Sequence, residues 1–347
     1  MRASYQKYIL DFKKPSGTSR GVLKTKETWF IIIKHNDKLG IGECGLFRGL
    51  STDDRPDYED KLKWVCDNIN LELEELLMEL VEFPSIQCGL EMAFLSLKDK
   101  DKFELFPSKF TKGEASIPIN GLVWMGTEAF MKQQVKAKIE AGFSCIKMKI
   151  GAIDFQTEIN LLKAIRAEYS SNDIELRVDA NGAFSIDSAL DKLKVLSELD
   201  LHSIEQPIKA GQHQEMARLC EDSPLDIALD EELIEVFFVT KKKKLLQTIN
   251  PQYIILKPSL VGGFKRSDEW IELADQNHIG WWITSALESN IGLNAIAQYT
   301  YTLQNNIPQG LGTGGLFTNN FESPLQVKNG TLQLVKNEIW ELKKLKH

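Results

Sequence analysis

From about Ser116 onward, apolar positions gather into short β-branched and aliphatic runs that alternate with longer stretches of helical period, the pattern of βα units around a parallel sheet. Strand-like runs fall at residues 117–121, 145–150, 174–179, 201–205, 226–230, 253–257 and 280–284, with a weaker one at 309–313. Most are followed by a helix-like segment, such as 155–170, 186–199 and 267–277. Eight βα steps favour a closed barrel over an open doubly wound sheet. The glycine fingerprint of a dinucleotide site is also missing after the first run, which reads IPINGLVWMG.

Residues 1–115 have a different texture. A strand pair at 28–34 and 40–43 precedes helical segments between 58 and 97, which predicts an α+β lobe apart from the barrel of residues 116–320. In the tail, 321–347, two short strands at 325–328 and 331–335 flank Asn329-Gly330, a strong hairpin turn, and the tail is expected to rejoin the first lobe. The fold class is therefore α/β: a (β/α)-barrel with an α+β capping lobe.

Charge narrows the function. The chain is 43% hydrophobic and 26% charged, with 42 Lys and Arg against 49 Asp and Glu, a net charge of −7. Both signs are mixed along the sequence, which disfavours nucleic acid as a partner. The lysine run 241–244 is expected to be solvated surface. Five scattered cysteines without a Cys-x-x-Cys pair favour neither a disulfide framework nor a zinc site, and fit a reducing compartment. With no signal-peptide pattern at the N-terminus and no run of roughly 18 apolar residues, a cytoplasmic location away from membranes is expected.

The candidate chemistry is positional. Charged residues recur at the C-terminal ends of successive strand runs, where barrel enzymes build their sites: Lys147 and Lys149 in CIKMKIG, Asp179 in LRVDANG, Glu205 in SIEQP, Asp230 in IALDEE and Lys257 in IILKPS. Their spacings are 30 (149 to 179), 26 (179 to 205), 25 (205 to 230) and 27 residues (230 to 257), one βα unit each time. Strand alternation turns Ile146, Met148, Val178, Ile204 and Leu229 toward the helices and sends the charges into the barrel mouth. Any one of these carboxylates alone is better read as a helix N-cap or a surface residue; the series of five strand ends is not.

Three converging carboxylates repel one another unless a cation joins them. Asp179, Glu205 and Asp230, with no His or Cys at those positions, point to a hard divalent ion, Mg²⁺ with Mn²⁺ as a substitute. Lysines flanking such an ion have lowered pKa values and can serve as bases. The matching substrate is a small carboxylate that loses its α-proton, with the ion stabilising the resulting ene-diolate.

At these residues the sequence resembles the muconate-lactonising subgroup of the enolase superfamily, over nearly the whole chain. Within it, SGTSRGVL, GIGECGLFRGLS, PINGLVWMG and GLGTGGLFTNN resemble the family that forms o-succinylbenzoate for menaquinone. The resemblance implies an enolase-type modified TIM barrel and a syn-dehydration of 2-succinyl-6-hydroxy-2,4-cyclohexadiene-1-carboxylate. Lys149 would then be the acid/base, Lys257 the opposing cation and Lys147 a neighbour of the substrate carboxylate; enolase-superfamily sites pairing a Lys base with Mg²⁺ are a known pattern. Residues 17–21 are expected to form a lid, with Ser19 among the substrate-binding residues and Arg20 either pairing with the succinyl carboxylate or making a salt bridge within the capping lobe. Ser259 and Ser285 are expected to bond the substrate, and Gly312, Thr313 and Gly314 to form an anion nest, whereas Glu288 is expected to support or cap without acting in catalysis. Glu232 stands where relatives often carry Ser, and GLGTGG replaces the Asp-x-Asp of dipeptide epimerases, which disfavours a dipeptide substrate. The alternatives are an N-succinylamino acid racemase or another isomerase sharing the metal and lysines, and, less favoured, a non-catalytic barrel binder.

Overall fold

The computed structural model describes residues 1–18, 21–98, 101–335 and 338–345. The chain opens with a meander of β1 (Arg2–Thr18), β2 (Gly21–His35) and β3 (Lys38–Cys44), antiparallel in that order. Helices α1 (Tyr58–Asp67), α2 (Leu73–Glu79) and α3 (Pro84–Ser96) cover it. β1 is not announced by the periodicity, because Gln6, Lys7, Asp11, Lys13 and Lys14 stud it and it gains its regularity from pairing along β2. α3 lies against β3 at backbone distance: a Cβ at Gly42 would sit 1.8 Å from the Gly89 carbonyl oxygen, so glycine there sets how closely helix and sheet approach.

Next come β4 (Ser116–Pro118), β5 (Gly121–Val123), α4 (Glu128–Glu140), β6 (Cys145–Lys149), α5 (Phe155–Glu168), β7 (Glu175–Asp179), α6 (Ile186–Ser197), β8 (Ser203–Glu205), α7 (His213–Asp222), β9 (Ile227–Leu229), α8 (Val239–Ile249), β10 (Tyr253–Leu256), α9 (Pro258–Val261), α10 (Gly263–Gln276), β11 (Gly280–Ile283) and α11 (Asn290–Thr302). Strands β5 to β11 form one parallel sheet in chain order. Its edges are joined through residues 309 and 310: Gln309 N donates to Pro118 O at 2.9 Å and Gly310 N to Ile283 O at 2.8 Å. The expected eighth strand is thus only a pair of bridges. The expected first strand is divided, since Pro118 has no N–H for a ladder; β4 leaves the ring and β5 enters it.

β12 (Leu325–Lys328) and β13 (Thr331–Leu334) form the expected hairpin, with Asn329 and Gly330 both at positive φ as a tight hairpin turn requires. Its destination differs from expectation: β13 pairs with β4 at the barrel's edge, Leu332 opposite Ile117. The tail does rejoin the first lobe on either side of the hairpin: Phe321 packs on Tyr8 and Phe30 at 5.2 and 5.3 Å, Trp340 stacks on Phe103 at 4.0 Å, and Leu345 packs with Phe30, Ile32 and Ile41.

The lysine run is exposed as expected at Lys241, Lys243 and Lys244, and one member departs from it. It lies in α8, and Lys242 is fully buried, its ammonium donating to Arg266 O at 3.0 Å and Glu269 Oε2 at 2.8 Å beside the Trp270 ring. Burial lowers it to about 8 despite the Glu269 partner.

Two capping-lobe carboxylates cap barrel helices. Glu43 accepts from Ser289 N and Gly292 N, each at 2.9 Å, at the start of α11, and Glu91 accepts from Phe264 N at 2.5 Å and Lys265 N at 3.3 Å at the start of α10. Burial raises Glu91 to about 7 from 4.5, outweighing those backbone bonds. A carboxyl raised by folding stabilises the protein below its unfolded pKa and loses that contribution as pH rises through the folded value, here up to about 3 kcal/mol between pH 4.5 and above 7. Denaturant melts at pH 5 and pH 8 should therefore show Glu91→Gln gaining on the parent by about 2–3 kcal/mol at the higher pH. A difference that does not change with pH would mean Glu91 does not titrate in that window.

Candidate active site

The period-two pattern places most of its residues as expected, although Glu205 and Asp230 are buried and do not line the cavity. Ile146, Met148, Val178, Ile204 and Leu229 are buried in the layer between sheet and helices, while Lys147, Lys149, Asp179 and Lys257 line a cavity of about 250 Å³ at the C-terminal ends of the strands. Lys149, Asp179 and Glu205 stand side by side in register on β6, β7 and β8. Lys257 follows β10, across the ring from β6. Phe47 and Leu50 of the first lobe roof the cavity together with Trp124, Leu287 and Leu316.

The carboxylates pair with the lysines around them. Lys147 pairs closely with Glu205 and reaches Asp179 at 3.2 Å; Lys149 donates to Asp179 Oδ2 at 2.8 Å and Asn181 Oδ1 at 2.7 Å; Lys257 pairs closely with Asp230. Burial would lower Lys147 and Lys257, but Glu205 and Asp179 overcome it for the first and Asp230 and Glu205 for the second, so both are held above the usual lysine range. Burial would raise Asp179, yet Lys149 and then Lys147 hold it far below the carboxylate range, whereas burial and the Asp179 charge push Glu205 up to about 8.

Asn181 was not among the candidates. It follows β7 at φ 44, where Asn tolerates the left-handed region, and its side chain joins Lys149 to Glu231 by donating to Glu231 Oε1 at 3.0 Å. The only sequence signal was the turn DANG after a strand. Gln206, at φ 41, stitches neighbouring strand ends: its Oε1 accepts from Asp230 N at 3.2 Å and Glu232 N at 3.3 Å, and its Nε2 donates to Glu232 Oε2 at 3.0 Å.

Several expected substrate contacts change. Ser259 is fully buried and does not line the cavity; its hydroxyl donates to Glu288 Oε1 at 2.6 Å. Ser285, Gly312 and Thr313 do line it, but the Ser285 hydroxyl is engaged by Glu288 Oε2 at 2.7 Å and Thr313 Oγ1 at 2.8 Å. Glu288 thus fixes two serines, in line with a supporting role. Gly314 begins a 3-10 turn away from the cavity lining, and none of Gly312, Gly314 and Gly315 takes the left-handed φ of an alternating nest. Residues 17–21, expected as a lid loop, include the end of the β1–β2 ladder, with Gly17 opposite Val22 and Thr18 opposite Gly21. Ser19 and Arg20 lie outside the described residues. Lower on that hairpin, Phe12 packs on Phe317 beside Leu287, with Leu23, Trp124 and Leu316 around them, so its stem covers the mouth.

Among the described residues, no three His, Cys, Asp or Glu side chains stand close enough to grip an ion as placed. The donor set nevertheless suits a hard cation: Asp179, Glu205 and Asp230 offer only oxygen, all are buried, and Glu205 Oε1 has no hydrogen-bond partner. No helix is long and apolar enough to cross a membrane.

Residues 130–338 match the family described as enolase C-terminal domain-like. An o-succinylbenzoate synthase of Desulfotalea psychrophila is 47% identical over 96% of this chain and 98% of its own. A crystal structure of MenC from that organism has a TM-score of 0.86 at 44% identity, covering 96% of this chain and 99% of that one. A muconate lactonizing enzyme from Pseudomonas fluorescens, complexed with muconolactone, is 20% identical with a TM-score of 0.83 over 99% of this chain and 97% of its own, a likeness of fold.

Proposed function

Because the chain belongs to the enolase superfamily and to its o-succinylbenzoate synthase family, we propose that it dehydrates 2-succinyl-6-hydroxy-2,4-cyclohexadiene-1-carboxylate to o-succinylbenzoate. The observation that carries the chemistry is the placing of Lys149 and Lys257 across the barrel from each other, both facing one cavity.

Asp179, Glu205 and Asp230 would hold Mg²⁺. Bound there, the ion supplies positive charge that competes with the lysines for these carboxylates and offsets the charge developing on the substrate carboxylate. Neutral Lys149 takes the α-proton on its Nζ; the ring C–O bond then breaks, and the same Nζ returns a proton to the departing oxygen as water leaves. One ammonium serving both steps requires proton and hydroxyl to leave from one face, and the new double bond completes an aromatic ring. Asn181 keeps Lys149 oriented while its proton load changes, and Lys257 faces the opposite side as a fixed cation. The roof of Phe47, Leu50, Trp124, Leu287 and Leu316 keeps water from the anion.

Purified protein should convert the cyclohexadiene carboxylate to o-succinylbenzoate by ultraviolet absorbance, with Mg²⁺ required and Mn²⁺ accepted. Racemisation of N-succinylamino acids without dehydration would instead assign the same lysines to an isomerase.

A further inference from the structure

Among the described residues lining the cavity, one lysine faces no carboxylate, whereas Lys147, Lys149 and Lys257 each pair with one. Lys138, on α4, is half-buried there and its ammonium has no ion pair or hydrogen bond among the described residues, whereas Lys132 and Lys136 of the same helix pair with Glu128 and Glu140. Its ammonium lies 5.0 Å from the centre of the Phe143 ring, which also lines the cavity. The stem passes over β5 at Gly121, where an added Cβ would come within 2.9 Å of Lys138 Cδ. Gly121 does not take a left-handed φ, so the glycine serves room and not a turn. Burial lowers Lys138 and nothing nearby raises it again. A desolvated ammonium with no carboxylate to face is costly unless a ligand supplies one.

We propose that Lys138 is a specificity-determining residue that receives the far carboxylate of the substrate's succinyl chain. This rests on the dehydratase reading, whose substrate carries two carboxylates. The ring carboxylate belongs with the reacting centre; the chain carboxylate needs a separate counter-charge, and Lys138 offers one inside the same cavity. The Phe143 face beside it gives the chain's methylenes an apolar wall.

The test compares two ligands by titration calorimetry: o-succinylbenzoate, and o-butyrylbenzoate, in which a methyl group replaces the terminal carboxylate. Lys138→Met should lose about 10–100-fold in affinity for the first and remain within about twofold for the second, the size of one charge-assisted bond. In turnover it should raise KM by a similar factor with kcat little changed. Lys138→Arg should retain most of the discrimination, and Lys138→Gln, neutral but polar, stands in if the methionine variant does not melt cooperatively. Equal losses for both ligands, or no loss for either, would overturn the proposal. Wild-type protein that fails to dehydrate the diene yet shows this ligand discrimination would overturn the proposed reaction and leave Lys138 as a dicarboxylate selector.

Discussion

Lys149→Ala is expected to lower kcat by at least ~10³-fold while leaving thermal stability and Mg²⁺ binding close to the parent, because the same Nζ is proposed to take one proton and deliver the next. The side chain is a part-buried donor to Asp179 and Asn181, so its removal takes away two hydrogen bonds without opening the hydrophobic layer on the other face of β6. A structural role predicts the reverse, a lowered melting temperature with turnover restored on cooling. Deuterium exchange separates the two: the variant should neither dehydrate the diene nor wash out its α-proton, whereas Lys257→Ala, lacking only the opposing charge, should retain slow exchange. Lys149→Ala protein that still turns over within tenfold of the parent would remove this lysine from proton transfer.

The reacting centre was legible because one rule governs it: along a strand, neighbours face opposite sides, so Val178 in the core forces Asp179 into the mouth, as Met148 does Lys147 and Lys149 on β6. What the periodicity could not supply was partner identity. Lys242 reads as the second of four exposed lysines until α10 brings Glu269 and Trp270 over it, and Lys138 reads as one more charge on a polar helix until Gly121 leaves room for its stem. Ser259 was expected at the substrate because it follows β10, yet Glu288, 29 residues further on, claims its hydroxyl. The tail hairpin shows the same limit. Asn329-Gly330 declares the turn, but only Pro118, which ends β4 at the barrel's edge, makes an unpaired strand available for β13. Local pattern thus gave elements and faces, while contacts between distant segments decided which polar groups were already satisfied.

Glu205→Gln should separate metal holding from proton transfer. Glu205 is buried on β8 beside Asp179, paired with Lys147 through one oxygen and without a partner on the other. Burial and the Asp179 charge both disfavour its ionised form, so an isosteric neutral amide removes repulsion that the ion-free protein carries, and Lys147 keeps Asp179 as a partner. A carboxyl raised by folding loses its stabilising contribution as pH rises through the folded value, so without Mg²⁺ the variant should melt no lower than the parent, and higher above pH 8. With Mg²⁺ the order should invert. The parent should gain stability in proportion to the logarithm of ion concentration, while the variant, short of one anionic oxygen donor, should respond only at about 10–100-fold higher concentration and lose turnover by at least ~10³-fold. Matched Mg²⁺ titrations of melting temperature decide it: coincident curves for the two proteins would remove Glu205 from the ion's ligands, whereas a displaced curve in a variant at least as stable without the ion leaves ligand loss as the cause.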